Sequence, residues 1–294
     1  MKPDTEDQIP RLDIHFGDNL PILKEMESAS VDLVYIDPPF NSGKTQTHTQ
    51  IQSIQDASDG SQKGFGGKSY RKVKLGSRSF EDQFDDFLLF LEPRLEEAWR
   101  LLAPQGSLFL HLDYREVHYA KVLLDSIAGR DCFINEIIWA YDYGGRSKKR
   151  WPTKHDTILF YAKDPKNYTF NFEEMDRIPY MAPGLVSPEK AARGKTPTDV
   201  WWHTIVPTNS AERTGYPTQK PLGILERLVK VHTLPGNVLL DFFAGSGTLG
   251  AAAWKHKRSA ILMDRNPEAL EVMRERLAHA SPTIHGFPGE TRSV

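Results

Sequence analysis

The sequence predicts an α/β fold built on a parallel sheet, and three features carry that expectation. Short apolar, β-branched runs alternate with stretches of helical spacing from the first residues onward, the rhythm of β-α-β units. Val31–Ile36 ends abruptly in Asp37-Pro38-Pro39-Phe40, where two prolines with fixed φ and no N–H stop a strand. Val238–Asp241 runs into a glycine-bearing turn and then a helix of small residues. Ligands of such sheets collect beyond the carboxyl ends of the strands. Asp18, Asp37 and the glycine turn all fall at such ends.

The elements follow in order. Leu12–Phe16 reads as a strand, Gly17-Asp18-Asn19 as a turn, and Leu20, Ile22, Leu23 and Met26 as a short helix before Val31. Residues 41–79 are rich in Gln, Ser, Thr, Gly and Lys with almost no apolar periodicity, and read as a structureless, mobile insertion. Its cations Lys63, Lys68, Arg71, Lys72, Lys74 and Arg78 suit a flap over phosphates as well as a solvated loop. Residues 80–102 carry apolar positions every three or four residues and read as a helix that Pro93 kinks or divides. Pro104-Gln105-Gly106 reads as a turn, 107–112 as a strand, 116–128 as a helix, and 133–141 and 157–162 as further strands. From about 163 to 209 aromatics alternate with Pro, Asn, Arg and Lys and no clean helix exceeds two turns, so an irregular inserted lobe is expected, most of its aromatics forming a small core. Pro221 opens a helix to about His232, Ser259–Met263 is a strand ending at Asp264, 267–280 is the last helix, and the tail after Ser281 reads as frayed.

Composition sets bounds. The 294 residues are 39% apolar, enough for one large domain or one domain with a substantial insertion. A formal charge of -2 leaves no global basic surface, so any contact with nucleic acid must be local. The single cysteine, Cys132, excludes an internal disulfide and a cysteine-rich zinc site, and no metal site is expected. No apolar run is long enough to span a bilayer, and Met1-Lys2-Pro3-Asp4 opens no signal-peptide core, so a soluble cytoplasmic protein of a reducing compartment is expected.

Two constellations carry chemistry. The corner Asp37-Pro38-Pro39-Phe40 offers a carboxylate, backbone carbonyls and an aromatic ring, a set that suits an amino group on a flat ring. Asp37 and a loop carbonyl accept its two N–H bonds while Phe40 stacks on the ring. Around Gly245, the order strand, glycine turn, helix, strand, acid is that of nucleotide sites, with Asp264 placed to chelate ribose hydroxyls. The turn lacks the six-residue glycine fingerprint and the P-loop lysine, which favours a nucleoside without a pyrophosphate. A second basic run, Arg146, Lys148, Lys149, Arg150 and Trp151 with Lys154 beyond it, mixes cations with an aromatic ring as phosphate contact and stacking require.

With these residues in view, the chain resembles the prokaryotic DNA amino-methyltransferases in their permuted beta-class arrangement. Asp37-Pro38-Pro39-Phe40 is similar to the family's catalytic loop. Asp241-Phe242-Phe243-Ala244-Gly245-Ser246-Gly247-Thr248 resembles its S-adenosylmethionine loop. Tyr216-Pro217-Thr218-Gln219-Lys220-Pro221 resembles the segment bordering the methionine part of the cofactor, through Thr218 and Lys220, and Gly17-Asp18-Asn19 the turn whose acid meets the adenine. The resemblance covers residues 12–277, with the catalytic loop before the cofactor loop. It implies a Rossmann-like, seven-stranded mixed sheet with helices on both faces and one antiparallel strand. It divides the chain into a catalytic half (11–162), a target-recognition lobe (163–209) and a cofactor half (210–280).

The implied reaction is transfer of a methyl group from S-adenosylmethionine to an exocyclic amine of duplex DNA, by base flipping and direct displacement. Relatives of this kind are often homodimers and some have a cognate restriction endonuclease. Aspartate at position 37 favours adenine over cytosine, although Phe40 stands where tyrosine is usual. Carbon-5 cytosine chemistry is excluded, because Cys132 has no Pro-Cys loop around it. RNA and protein-glutamine methyltransferases share a Pro-Pro-aromatic loop but normally place the cofactor loop first. A DNA-binding protein with a dead site is disfavoured by intact Asp37, Gly245 and Asp264.

Overall fold

The computed structural model describes residues 9–39, 44–55, 62–63, 69–82 and 87–286. The chain opens with β1 (Leu12–Phe16), α1 (Asn19–Glu25) and β2 (Val31–Ile36). Residues 41–85 form a separate compact unit holding β3 (Lys44–Gln55), β4 (Gln62–Lys63) and β5 (Ser69–Asp82). The main unit resumes with α2 (Phe87–Leu101), β6 (Leu102–Leu112), α3 (Val117–Ala128), β7 (Phe133–Ala140) and β8 (His155–Ala162). Then come α4 (Pro188–Arg193), β9 (Val200–Trp202), α5 (Leu222–His232), β10 (Val238–Asp241), α6 (Thr248–Lys255), β11 (Ser259–Asp264), α7 (Pro267–Leu277) and β12 (Thr283–His285).

The main sheet has the order β12-β1-β11-β10-β2-β6-β8-β7-β9. Every neighbouring pair is parallel except β6·β8 and β7·β8, so β8 alone runs against the rest. Seven strands carry the expected mixed arrangement, and the short edge strands β12 and β9 raise the total to nine. Alternation along the strands divides the core. Leu33 and Tyr35 of β2, Phe109 of β6 and Ile158 and Phe160 of β8 join a cluster with α5, α6 and α7. On β2 and β6 the intervening Val34, Ile36, Leu108 and Leu110 are also fully buried, so both faces of the sheet are covered, as a parallel sheet requires.

Several expectations need correction. Within 41–79 the described residues 44–55, 62–63 and 69–79 are not structureless: β3 and β5 pair antiparallel from Lys44↔Asp82 to Gln55↔Tyr70, with a register shift between Gln50 and Ile51, and β4 adds to β5. Alternating Thr and Gln hide such a hairpin from an apolar periodicity search. The side chains of its cations, Lys63, Lys68, Arg71, Lys72, Lys74 and Arg78, lie outside the described residues. Residues 80–82 belong to β5, and Pro93 lies within an undivided α2, where it removes one backbone bond. Pro104-Gln105-Gly106 falls inside β6 as an irregularity, since Val31 pairs with Leu102 but Leu33 with Ser107. Pro221 is the cap before α5 rather than its first residue. Instead of fraying, Thr283–His285 docks on β1, and the ring of His285 stacks on His15 at 4.3 Å.

Residues 163–221 hold only α4, three-residue helical turns and β9. Trp201 and Tyr168 pack on the main core, whereas Phe170, Phe172 and Trp202 are exposed, so the aromatics divide between core and surface.

Candidate active site

The chain leaves β2 toward β6 and leaves β10 toward β11, on opposite sides, so a crevice opens beyond the carboxyl ends of β2 and β10. Asp37 follows β2 and the turn 242–247 follows β10, and the two strands are direct neighbours through Leu239↔Leu33 and Leu240↔Val34. Lys220 joins the two loops. Its ammonium pairs with Asp37 Oδ2, and its backbone carbonyl accepts from Thr248 Oγ1 at 3.1 Å. Asp37 Oδ1 is buried without a hydrogen-bond partner. A buried carboxylate oxygen left this way is costly unless a donor arrives.

The glycine turn is held by its neighbours. Gly245 has φ +51°, and a side chain there would meet the Tyr216 ring at 3.0 Å. Gly247 has φ +69°, and a Cβ would stand 2.8 Å from Met273. Glycine therefore serves both conformation and close approach. Gly245 N donates to Asp264 Oδ2 at 2.8 Å, Asn266 N donates to Asp264 Oδ1 at 2.8 Å, and Ala244 N donates to the Met263 carbonyl at 3.0 Å. Burial raises the Asp264 carboxyl, and these backbone donors work against that rise. Burial also raises Asp241, whose Oδ1 accepts from Phe243 N at 3.0 Å. The Asp264 carboxylate keeps acceptor capacity beyond its backbone partners.

Several of the expected cofactor residues are bonded within the protein. Phe242 is fully buried and its carbonyl accepts from Asn19 Nδ2 at 2.6 Å, so it forms the floor of the turn rather than a wall open to a ligand. Ser246 and Thr248 are buried and bonded to each other, and Arg276 Nη1 reaches Thr248 Oγ1 at 2.8 Å. Phe243 is less buried and lies 5.9 Å from the Phe90 ring. Asp18 Oδ1 caps α1 and pairs with Arg94 at 2.9 Å, yet its side chain stays 57% exposed, open to a further partner. Thr218, in the turn that leads to Lys220, is exposed. Phe40 lies outside the described residues, while Pro38 and Pro39 follow Asp37 at the strand end.

Arg94, Arg276 and a polar chain under Asp37 escape a reading of the sequence alone. Arg94 donates to Asn19 Oδ1 (2.7 Å), to the Phe90 carbonyl (2.7 Å) and to Asp18, tying α2 to the β1–α1 turn. It lies three residues after Leu91 and one before Leu95, so a cation on the apolar face of α2 is its visible signal, and Arg276 stands likewise among Val272, Met273 and Leu277. Below Asp37, Tyr35 Oη meets His111 Nδ1 at 2.8 Å, His111 Nε2 meets Asp156 at 3.3 Å, and Tyr141 Oη donates to Asp156 at 3.0 Å. Burial works to raise the Asp156 carboxyl, but the bonds from His111 and Tyr141 and the charge of Lys220 outweigh it and hold the group below the usual range.

The basic run occupies the loop between β7 and β8, on the same sheet edge as Asp37. Lys148, Lys149 and Arg150 are exposed and Trp151 is 94% exposed. Arg146 is paired with Asp142 at 2.6 Å, and Lys154 donates to the carbonyls of Tyr143, Gly144 and Gly145. Among the described residues no group of three or more His, Cys, Asp or Glu side chains forms a metal site, and no helix is long and apolar enough to cross a membrane.

A Rossmann-like sheet with one reversed strand, a glycine turn braced by an acid and an adjoining acidic corner define the class of S-adenosylmethionine-dependent methyltransferases. The DNA methylase family model, for N6 and N4 amino-methyltransferases, matches residues 31–275, and the chain belongs to that family. It is 30% identical over 255 residues to the type II methyltransferase M.HpaI of Haemophilus parainfluenzae, covering 87% of this chain and 70% of that protein. It is also 30% identical over 273 residues to the DNA adenine methyltransferase YhdJ of Escherichia coli, covering 90% and 82%. In fold it is similar to a DNA modification methylase from Thermus thermophilus solved with S-adenosyl-L-methionine, at TM-score 0.58 and 23% identity, covering 97% of this chain and 100% of that one. The protein is thus a DNA amino-methyltransferase.

Proposed function

We propose that the chain is a site-specific DNA methyltransferase acting on the exocyclic amine of adenine, with Asp37-Pro38-Pro39-Phe40 as catalytic loop in the permuted, beta-class order. One observation carries the reading: Asp37 stands beside the cofactor turn, joined to it through Lys220, with one carboxylate oxygen paired and the other buried and unpartnered. The unpartnered Oδ1 accepts an N–H of the target amine, and a loop carbonyl takes the second. Holding both protons orients the nitrogen lone pair and stabilises positive charge as it grows on that atom. Lys220 keeps Asp37 Oδ2 occupied, which leaves Oδ1 as the acceptor for the incoming base.

S-adenosylmethionine supplies the electrophilic methyl. Asp264 and Asp18 would hold its ribose and adenine, with the backbone of 243–247 beside them and Thr218 and Lys220 at its methionine end. The residues fit such a ligand, because Asp264 keeps spare acceptor capacity and a side chain at Gly245 would collide with Tyr216.

An amine inside the duplex is out of reach, so the base must leave the stack at a cost of a few kcal/mol. Stacking on Phe40, worth about 1–3 kcal/mol, offsets part of it. Exposed Lys148, Lys149, Arg150 and Trp151, with Arg146 and Lys154 beside them, meet the phosphates, and residues 163–209 read the sequence. Adenine is favoured by Asp37 at the head of the loop and by the 30% identity to a DNA adenine methyltransferase.

Methylating duplex DNA with a labelled methyl donor and digesting it to nucleosides tests this. Label in N6-methyladenine is the expected result. Label in N4-methylcytosine overturns the choice of base, and no incorporation overturns the activity.

A further inference from the structure

A cavity of about 370 Å³ lies away from the catalytic crevice, between α5 and the N-terminal halves of β7 and β9. Its lining residues Asn135 and Ile137 stand on the part of β7 remote from Ala140, whereas Asp37 lies on the edge where β7 ends. The volume is at the small end of ligand cavities, about 300–1,000 Å³, and suits a single fused ring system.

The walls are aromatic. Phe160, Phe170 and Trp201 line the space together with His232. The imidazole of His232 lies 4.7 Å from the Phe160 ring and 5.3 Å from that of Phe170, centre to centre. Only 5% of His232 is exposed, and burial pushes its pKa down to about 3, so the ring is neutral. The Thr169 backbone works against that shift, yet Nδ1 has no hydrogen-bond partner. The rim offers little unbalanced charge. Asp176 is neutralised by Arg227 at 2.9 Å and Lys230 at 2.8 Å, Arg227 lies over the Trp201 ring at 5.3 Å, and Asp199 is exposed to solvent.

We infer that this cavity is a second ligand site, which takes an uncharged, flat nitrogen heterocycle of purine size set against Phe170 and Trp201, with a ring-edge hydrogen bond to His232 Nδ1. Aromatic walls select a planar ring. A neutral, orphaned nitrogen selects a polar edge over a plain hydrocarbon. Self-paired rim charges select against an ionic ligand. The assignment does not depend on which base the enzyme methylates.

The probe is 2-aminopurine, whose fluorescence stacking quenches, titrated into the full chain kept saturated with S-adenosylhomocysteine so that the cofactor crevice is closed to it. Saturable quenching at one site per chain is expected. His232→Phe keeps the ring and removes the nitrogen, and weakens binding about tenfold. Thr198→Trp, on the exposed rim, fills the mouth and raises the Kd at least about tenfold without touching the core. Asp37→Ala leaves the affinity unchanged. Absence of saturable quenching, equal affinity in Thr198→Trp, or loss of binding in Asp37→Ala each overturns the site, the last by moving the probe to the catalytic corner. None of these readouts uses methyl transfer, so failure here is distinct from failure of the proposed activity.

Discussion

The crevice beside Asp37 and the basic loop 141–154 stand on one edge of one sheet, yet they are built in opposite ways. Around the crevice the polar groups are interlocked: Lys220 bridges two loops, Asp264 takes two backbone donors, and Arg94 ties α2 to the β1–α1 turn. The basic loop bonds mainly to itself, through Arg146 to Asp142 and Lys154 to three nearby carbonyls, and it leaves Trp151 94% exposed. Transfer chemistry needs atoms held to fractions of an ångström, which interlocking provides. Contact with a phosphate backbone needs charge at the surface and tolerates adjustment. The difference teaches that position is fixed where bonds are made and broken, and left adaptable where a long polyanion is gathered.

Three variants sharpen or break that contrast, in order of expected effect. Asp37→Ala should lower kcat by about a thousandfold, ~4 kcal/mol, because it removes an acceptor that acts as charge develops. Calorimetry should find the affinity for S-adenosylmethionine within about threefold of the parent, and turnover near the parent rate would remove Asp37 from its role. Arg94→Ala orphans the buried side-chain Oδ1 of Asn19, so urea unfolding should show a loss of about 2 kcal/mol. The Asp18 pairing adds little to that figure, since its carboxylate is 57% exposed. A loss below about 0.5 kcal/mol would mean that the network is not interlocked in solution.

Changing Arg146, Lys148, Lys149 and Arg150 together to Gln should move stability by less than about 0.5 kcal/mol. It should also flatten the logarithmic salt dependence of DNA binding by up to about 3.5. An unchanged slope would take the cluster off the DNA, and a large stability loss would erase the contrast between the two regions.

Much of the scaffold is legible along the chain because its signals are local. Val31–Ile36, Leu12–Phe16 and Val238–Asp241 begin and end where apolar runs meet proline, glycine or aspartate. The hairpin β3–β5 is not, because its strands alternate Thr with Gln and offer no apolar stripe to a periodicity search. Arg94 and Arg276 are visible as charges on apolar helix faces, but nothing near them in sequence names their partners.

By itself the sequence determined the alternation of strands and helices, the acidic corner at 37–40 and the glycine turn at 245–247, since each depends on backbone preferences of a few adjacent residues. Only the tertiary structure decided that Lys220 reaches Asp37 across 183 residues, that Oδ1 of that aspartate is left unpartnered, and that α5 and β9 enclose a cavity over His232. Strand order and side-chain packing set those contacts, and both arise from the whole chain burying its apolar faces at once, which no short window of residues encodes.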